Sequence, residues 1–247
     1  MKAFKGYGLV GILTVFAFLM ISQPLQAQWG KWGKGEKGSG KVVEQKRNLS
    51  GFESVGVSSG IDLHITQGNS YSVMVRTDDN IQDKLITEVK NGNLHIKIDG
   101  SVRSVEVMEV HVTMPNIRAV AASGGSDVYG KGTINGDNLS FAASGGSDIE
   151  LEVNGGDMDI AVSGGSDIVL SGRAKNISVA VSGGSDLKAK NLMTSSCSVS
   201  ASGGSDAWVH ASDKAVLNAS GGSDIHIYGN PDQLKEHSSS ASDIHRM

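Results

Sequence analysis

The sequence predicts an all-β chain wound as a right-handed parallel β-helix, a solenoid of about 20 residues per coil, behind an N-terminal β-rich capping region. Three observations carry this. The word SGGSD recurs six times without error, at Ser123–Asp127, Ser144–Asp148, Ser163–Asp167, Ser182–Asp186, Ser202–Asp206 and Ser220–Asp224, with first serines 18 to 21 residues apart. Apolar residues alternate with polar ones on both sides of each word, the period of a strand. Glycine is abundant (33) and tied to that word while proline is scarce (3), which marks repeated tight turns rather than a disordered tract. A decayed copy, SSASD, begins at Ser239, and a related word, SSGID, stands upstream at Ser58–Asp62. The coil is expected to be right-handed because parallel crossovers nearly always are.

Taken in order, residues 1–27 read as a secretory signal peptide. Lys2 and Lys5 form the basic start, Leu9 to Ile21 the apolar stretch, and Leu25-Gln26-Ala27 the cleavage site. The apolar run of about 13 residues is short of the roughly 20 that span a bilayer, so no transmembrane segment is expected after cleavage. The product is an exported protein of the periplasm, the outer-membrane surface or the extracellular space. No cysteine sits at the cleavage site, so no lipid anchor is expected, and the lone Cys197 cannot form an internal disulfide.

Residues 28–48, Gly/Lys-rich and aperiodic, read as a flexible linker carrying Trp29 and Trp32. Residues 49–115 form the N-terminal β-rich region. Alternation predicts strands over Phe52–Val57, Ile61–Ile65, Tyr71–Arg76 and Val105–Met114, and a hairpin of Thr87–Lys90 with Leu94–Ile98 around Asn91-Gly92-Asn93. Ile81, Leu85 and Ile86 at helical spacing predict a short helix over Asp79–Ile86.

Residues 116–247 are the repeat. Val120, Phe141, Ile160, Val179, Val199 and Leu217, three before each word, align as one apolar column. Val128, Ile149, Ile168, Leu187, Ala207 and Ile225, one after each word, align as another. Each coil is therefore strand, SGGSD bend, strand and a looser turn such as Ser171–Asn176, with Cys197 in the core.

Two columns carry candidate chemistry. The first is the aspartates that close the words: Asp127, Asp148, Asp167, Asp186, Asp206, Asp224 and, in the decayed copy, Asp243. Coils about 4.8 Å apart bring like charges to a separation that costs roughly 1 kcal/mol per pair in water. With no counter-charge the ladder is expected to raise its own pKa values, most at Asp167 and Asp186. Calcium is the one ion that such a row suggests, and no other cofactor is expected. Asp and Ser fixing the bend is the simpler reading. The second column lies two after each Asp: Tyr129, Glu150, Val169, Lys188, Trp208, His226 and His245, with His64 in the same setting after SSGID. Tyr129, Trp208, His226 and His245 are its candidate ligand-binding residues, toward a glycan or a surface protein. Asp224/His226 and Asp243/His245 would lie on adjacent coils, where they could hold a metal.

A net charge of −4 and the lack of a basic stripe exclude a nucleic-acid partner. No nucleophile elbow, HExxH or phosphate loop is present. Serines and acids recur because the repeat needs them, so their number says little about catalysis.

The ordered series SSGIDLHITQG, TEVKNGNLHIKI, VHVTMPNIRAVAASGGSD and the iterated words resembles the family of auto-transporter adhesin head GIN domains of Gram-negative bacteria, with Gly60-Ile61-Asp62 in the place of Gly-Ile-Asn. The resemblance spans roughly Leu49 to Ile244. It implies a β-helical surface or envelope protein of adhesin type, and it brings no catalytic residues. An autotransporter carries a C-terminal membrane barrel, and none is read after the seventh coil. The expected function is thus an exported, non-enzymatic envelope or surface protein, an adhesin or binding scaffold. The alternatives are a carbohydrate-active β-helix enzyme and a cation-binding repeat protein.

Overall fold

The computed structural model describes residues 35–247 and contains no helix among them. The expected signal peptide, Trp29 and Trp32 lie outside the described residues. The chain opens with β1 (Glu36–Lys37) and β2 (Val42–Arg47). The first coil follows, with β3 (Ser54–Ser58) and β4 (Asp62–Gln67) on either side of a bend. The chain then leaves the stack through β5 (Ser72–Asp78), β6 (Leu85–Lys90), β7 (Asn93–Ile98), β8 (Val102–Ser104) and β9 (Met108–Met114). It returns at β10 (Ala119–Ser123) and winds without interruption through β11 (Val128–Ser144), β12 (Asp148–Ser163), β13 (Asp167–Ser182) and β14 (Asp186–Ser202). β15 (Asp206–His210), β16 (Lys214–Ser220), β17 (Asp224–Tyr228), β18 (Gln233–Ser238) and β19 (Asp243–Arg246) complete the last coils.

Successive coils pair in parallel, word on word. Val120 stands opposite Phe141, Phe141 opposite Ile160, Ile160 opposite Val179, Val179 opposite Val199 and Val199 opposite Leu217. All six are buried, as is the Val128–Ile225 column, so the alternation of the sequence becomes one continuous core. Cys197 lies in that core, where burial pushes its thiol pKa up to about 12 and suppresses the thiolate.

The bend explains the word. Both glycines adopt left-handed backbone, as at Gly164 (φ 70°) and Gly165 (φ 73°), where a side chain is strained. The first glycine also lies against the coil before it: a Cβ on Gly164 would come within 3.1 Å of the Gly145 nitrogen, whereas one on Gly165 meets nothing. In the first coil this position is Ser59 (φ 78°), which has no earlier word beneath it in the stack. The serine that follows the glycines is buried in every word; in the earlier words its hydroxyl oxygen accepts from the coil before, while Ser205 and Ser223 accept from Ser202 N and Ser220 N of their own words. Ser166 Oγ accepts from Ser147 N at 3.0 Å, Ser147 Oγ from Ser126 N at 3.0 Å, and Ser126 Oγ from Ile61 N at 3.1 Å. Buried backbone donors that the bend would orphan are thereby satisfied. The decayed SSASD word lacks the glycines and turns differently, through a Ser242 N to Ser239 O bond of 3.1 Å.

The N-terminal end is capped. β7 and β9 pair in parallel with β3 and β4, and beyond them β6 pairs with β7, and β5 with β9, in the antiparallel sense. The β6–β7 hairpin turns at Asn91 and Gly92, both left-handed, as its sequence predicts. β2 adds antiparallel to β5, so the stretch expected as a linker is strand from Val42 to Arg47 and is tied earlier still by β1 pairing with β8. The expected helix over Asp79–Ile86 does not form: residues 79–84 are turns and β6 begins at Leu85. Its helical spacing has another cause. Ile81 N to Asp78 O, then Lys84 N and Leu85 N to Ile81 O, turn the chain, and the Ile81 and Leu85 side chains drop into the core. The expected looser turn at Ser171–Asn176 is instead part of β13, kinked at Gly172 (φ 108°), where a Cβ would strike Val153 O.

Candidate functional site

Zero register shift across the bends stacks the aspartates directly. Asp148, Asp167, Asp186, Asp206, Asp224 and Asp243 are paired in sequence across neighbouring coils. Asp127 joins below them, through Asp148 N to its Oδ1 at 3.1 Å, and Leu63 N to its carbonyl at 2.8 Å brings in Asp62. The carboxylates act as staples between coils. Asp167 N donates to Asp148 Oδ1 (3.2 Å), Asp224 N to Asp206 Oδ1 (3.2 Å) and Asp243 N to Asp224 Oδ1 (3.1 Å). One oxygen of each such acid is thus spent on the fold.

The middle of the ladder is not without a counter-charge, contrary to the expectation. Lys188, on the neighbouring column, sets its Nζ 2.8 Å from Asp167 Oδ2 and 3.6 Å from Asp186 Oδ2. Burial, and then the charge of Asp167, still hold the Asp186 carboxyl above the usual range, with Lys188 pulling the other way. Burial, then Asp127 and Glu109, do the same to Asp62, partly offset by His64.

The second column is also single file. Tyr129, Glu150, Val169, Lys188, Trp208, His226 and His245 follow one another across seven strands on the outward face of the sheet. The structure brings Trp208, His226 and His245 into one stack, with centroids 5.1 and 4.7 Å apart and planes within 2° and 16° of parallel. Tyr129 belongs to a second stack at the other end, 5.5 Å from His64, which is 4.6 Å from His111. Rings stacked along the solenoid axis cover one another's faces and turn their edges to solvent. The stripe therefore offers ring N–H groups, ring nitrogens and a phenol rather than open aromatic platforms.

Both columns run one rung further than the sequence shows. Asp62 pairs with Glu109, and His64 with His111. Glu109 and His111 belong to a layer with no SGGSD word to announce it, and only the parallel register of β4 with β9 aligns them. Of the expected set Asp224/His226 and Asp243/His245, the structure brings Asp224, Asp243 and His245 together, with ligand atoms within 4.8 Å of one another; His226 stands outside that group and stacks on His245.

No curated protein matches the sequence. Among solved structures, a putative adhesin from Bacteroides fragilis shares 20% identity at a TM-score of 0.82, over 86% of this chain and 100% of its own. A putative lipid binding protein from Parabacteroides distasonis shares 18% identity at 0.72, over 87% and 100%. A putative adhesin from Parabacteroides merdae shares 18% at 0.72, over 86% and 99%. At such identities the likeness establishes the solenoid fold. The family model described as "putative auto-transporter adhesin, head GIN domain" matches residues 51–231, from the first coil through the last intact word. The chain belongs to the auto-transporter adhesin head GIN domain family.

Proposed function

We propose that the protein is an exported, non-enzymatic binding scaffold of the cell envelope, an adhesin that presents the outward stripe and its adjoining carboxylate ladder to a surface glycan or protein. One observation carries the reading: an unbroken file of aspartates runs beside a column of aromatic, charged and imidazole side chains interrupted by Val169, one rung per coil, on a backbone whose every rung is hydrogen-bonded to the next. Such a track suits a repetitive ligand contacted at many weak points, where avidity replaces a deep pocket. The family and the two adhesin neighbours support the same reading. An enzyme on this fold needs one coil that differs from the rest, with unlike polar groups converging on a groove. Along the SGGSD coils the acids repeat coil after coil, and Lys188, the basic rung of the outward column there, is occupied in ion pairs.

Ring edges and carboxylates imply recognition by hydrogen bonds rather than by sugar stacking on an open ring face. Screening the protein on a glycan array and on envelope protein fractions, beside a Tyr129→Ala/Trp208→Ala/His226→Ala/His245→Ala variant, tests the proposal. Binding by the parent and loss in the variant, with unchanged melting, is expected. Turnover of a polysaccharide by either protein would refute it.

A further inference from the structure

We propose that His64, Glu109 and His111 form a binding site for a borderline divalent transition-metal ion, with zinc(II) as its probe, where the first coil meets the capping layer. Glu109 and His111 are alternate residues of β9 and so share one face, and His64 stands opposite His111 on β4. One ligand atom from each of the three falls within 4.8 Å of the others. The imidazoles are stacked, 4.6 Å apart with planes 14° from parallel, and His111 Nε2 lies 3.5 Å from Glu109 Oε2. β9 is held between β4 and β5 and β4 between β9 and β11, so the donors stand on interior strands whose spacing is fixed.

The donor set selects the ion. Two imidazole nitrogens and one carboxylate make a three-ligand zinc set that leaves a fourth position open. Imidazole also suits copper and nickel, whereas calcium asks for six to eight oxygens and is ill served here. The rest of the cluster is favourable to a cation. Asp62 pairs with Glu109 across the sheet, and Asp127 follows on the next coil. Arg76 opposes a cation there, with its Nη1 3.0 Å from Glu109 Oε2. It competes with a metal for that carboxylate, so its removal should strengthen metal binding. Zn–N distances of about 2.0–2.1 Å require the stacked imidazoles to rotate until their in-plane nitrogens converge, at a surface where His111 is half-exposed. The second cluster, Asp224, Asp243 and His245, offers a single imidazole and two carboxylates and serves as an internal comparison. A bound ion would clip β4 to β9 and so fasten the repeat to its cap. This inference does not depend on the adhesin reading, since metal uptake is measured without any partner.

The experiment titrates zinc(II) into the purified protein calorimetrically and follows its thermal melting with and without the metal, with calcium(II) in parallel. The proposal expects uptake saturating at one equivalent that His64→Gln and His111→Gln each weaken by roughly tenfold or more. It expects His245→Gln to leave that equivalent intact and Arg76→Gln to tighten it. Zinc should raise the melting temperature of the parent and of His245→Gln, but not of the two Gln variants at the site, and calcium should raise none through this site. Cobalt(II) bound by the parent should give the strong visible bands of a low-coordinate site, a readout that needs no variant to fold. The proposal is overturned by absence of zinc uptake at submillimolar concentration, by uptake that both Gln substitutions leave unchanged, or by cobalt with only weak octahedral absorption. An Arg76→Gln protein that binds zinc no more tightly overturns the role of Glu109 and with it the three-ligand site.

Discussion

Gly164 and Gly165 sit side by side in one bend and differ in what an added methyl would meet. Both are left-handed, so alanine at either costs about 1–2 kcal/mol of backbone strain. Only at Gly164 does the methyl also press on the coil before it. Gly164→Ala is therefore expected to lower stability more than Gly165→Ala, and chemical denaturation of the two variants ranks them; equal losses would show that the close approach relaxes freely. Ser166 is buried and accepts the Ser147 N–H. Ser166→Ala leaves that donor unsatisfied and should cost about 1–3 kcal/mol, read from the denaturation midpoint at unchanged slope. Lys188 sets a third case. Its ion pairs are part-exposed, so Lys188→Met should cost no more than about 1 kcal/mol at neutral pH, and less in high salt.

The sign of its pH dependence follows from the shifts. The Asp186 pKa is raised, mainly by burial, so the folded state holds a proton that the unfolded chain gives up near 3.8. Its contribution to stability is greatest below that pH and declines as pH rises through the raised value. The pKa of Lys188 is raised by Asp167 and Asp186, so its contribution is complete below 10.5 and is lost as pH climbs through the higher folded value. The pairing with Asp186 fades as that carboxyl takes up its proton, so the penalty for Lys188→Met should be smaller in acid than at neutral pH. Melting curves that show the same penalty at pH 3 and pH 7 would contradict this. The turn-forming role of Gly and Ser was legible in the word. The hydroxyl's service to the preceding coil was not, because a serine in a bend reads as exposed until the stack buries it. Lys188 was visible as a rung, but its reach back to Asp167 on the coil before depends on the spacing of the coils.

At the scale of the strand and the coil, the apolar columns were legible because a period of two over fixed words leaves one register that buries them all. Val179 stands between Ile160 and Val199 in the core, so Val179→Asp buries a charge without a partner and should cost several kcal/mol. Unchanged thermal melting of that variant would refute the inward column. Three stretches were misread for identifiable reasons. Ile81 and Leu85 are four apart and buried, the signature of a helix, yet one turn delivers the same spacing. Ser171–Asn176 has turn composition, but the ladder runs through it because Gly172 lets the backbone pass close to Val153. The stretch after Gly40 looked like a linker because β2 exposes its charged residues and buries little; its place is set by pairing with β5, which no local pattern encodes.

At the scale of the molecule, the solenoid has two unlike ends. The first coil is covered by the capping layer and its antiparallel strands, a device that removes a sticky edge. Among the described residues β18 and β19 have no strand beyond them, and there the edge carries Lys235, Glu236 and an Arg246–Glu236 ion pair. Charge on an open edge discourages further strand addition. Between the ends the outward stripe is the part of the surface whose chemistry changes from rung to rung while the backbone does not. The columns that build it were legible in the sequence, since each member stands two after an Asp. Its continuation to His111 and the stacking of its rings were not, because they depend on which strand of the cap adjoins the first coil. The most direct test of the binding-scaffold account compares the parent protein with the Tyr129→Ala/Trp208→Ala/His226→Ala/His245→Ala variant for retention on immobilised envelope glycans and surface proteins. The account predicts retention of the parent, loss in the variant and coincident melting curves for both. Equal retention of the two folded proteins would contradict it.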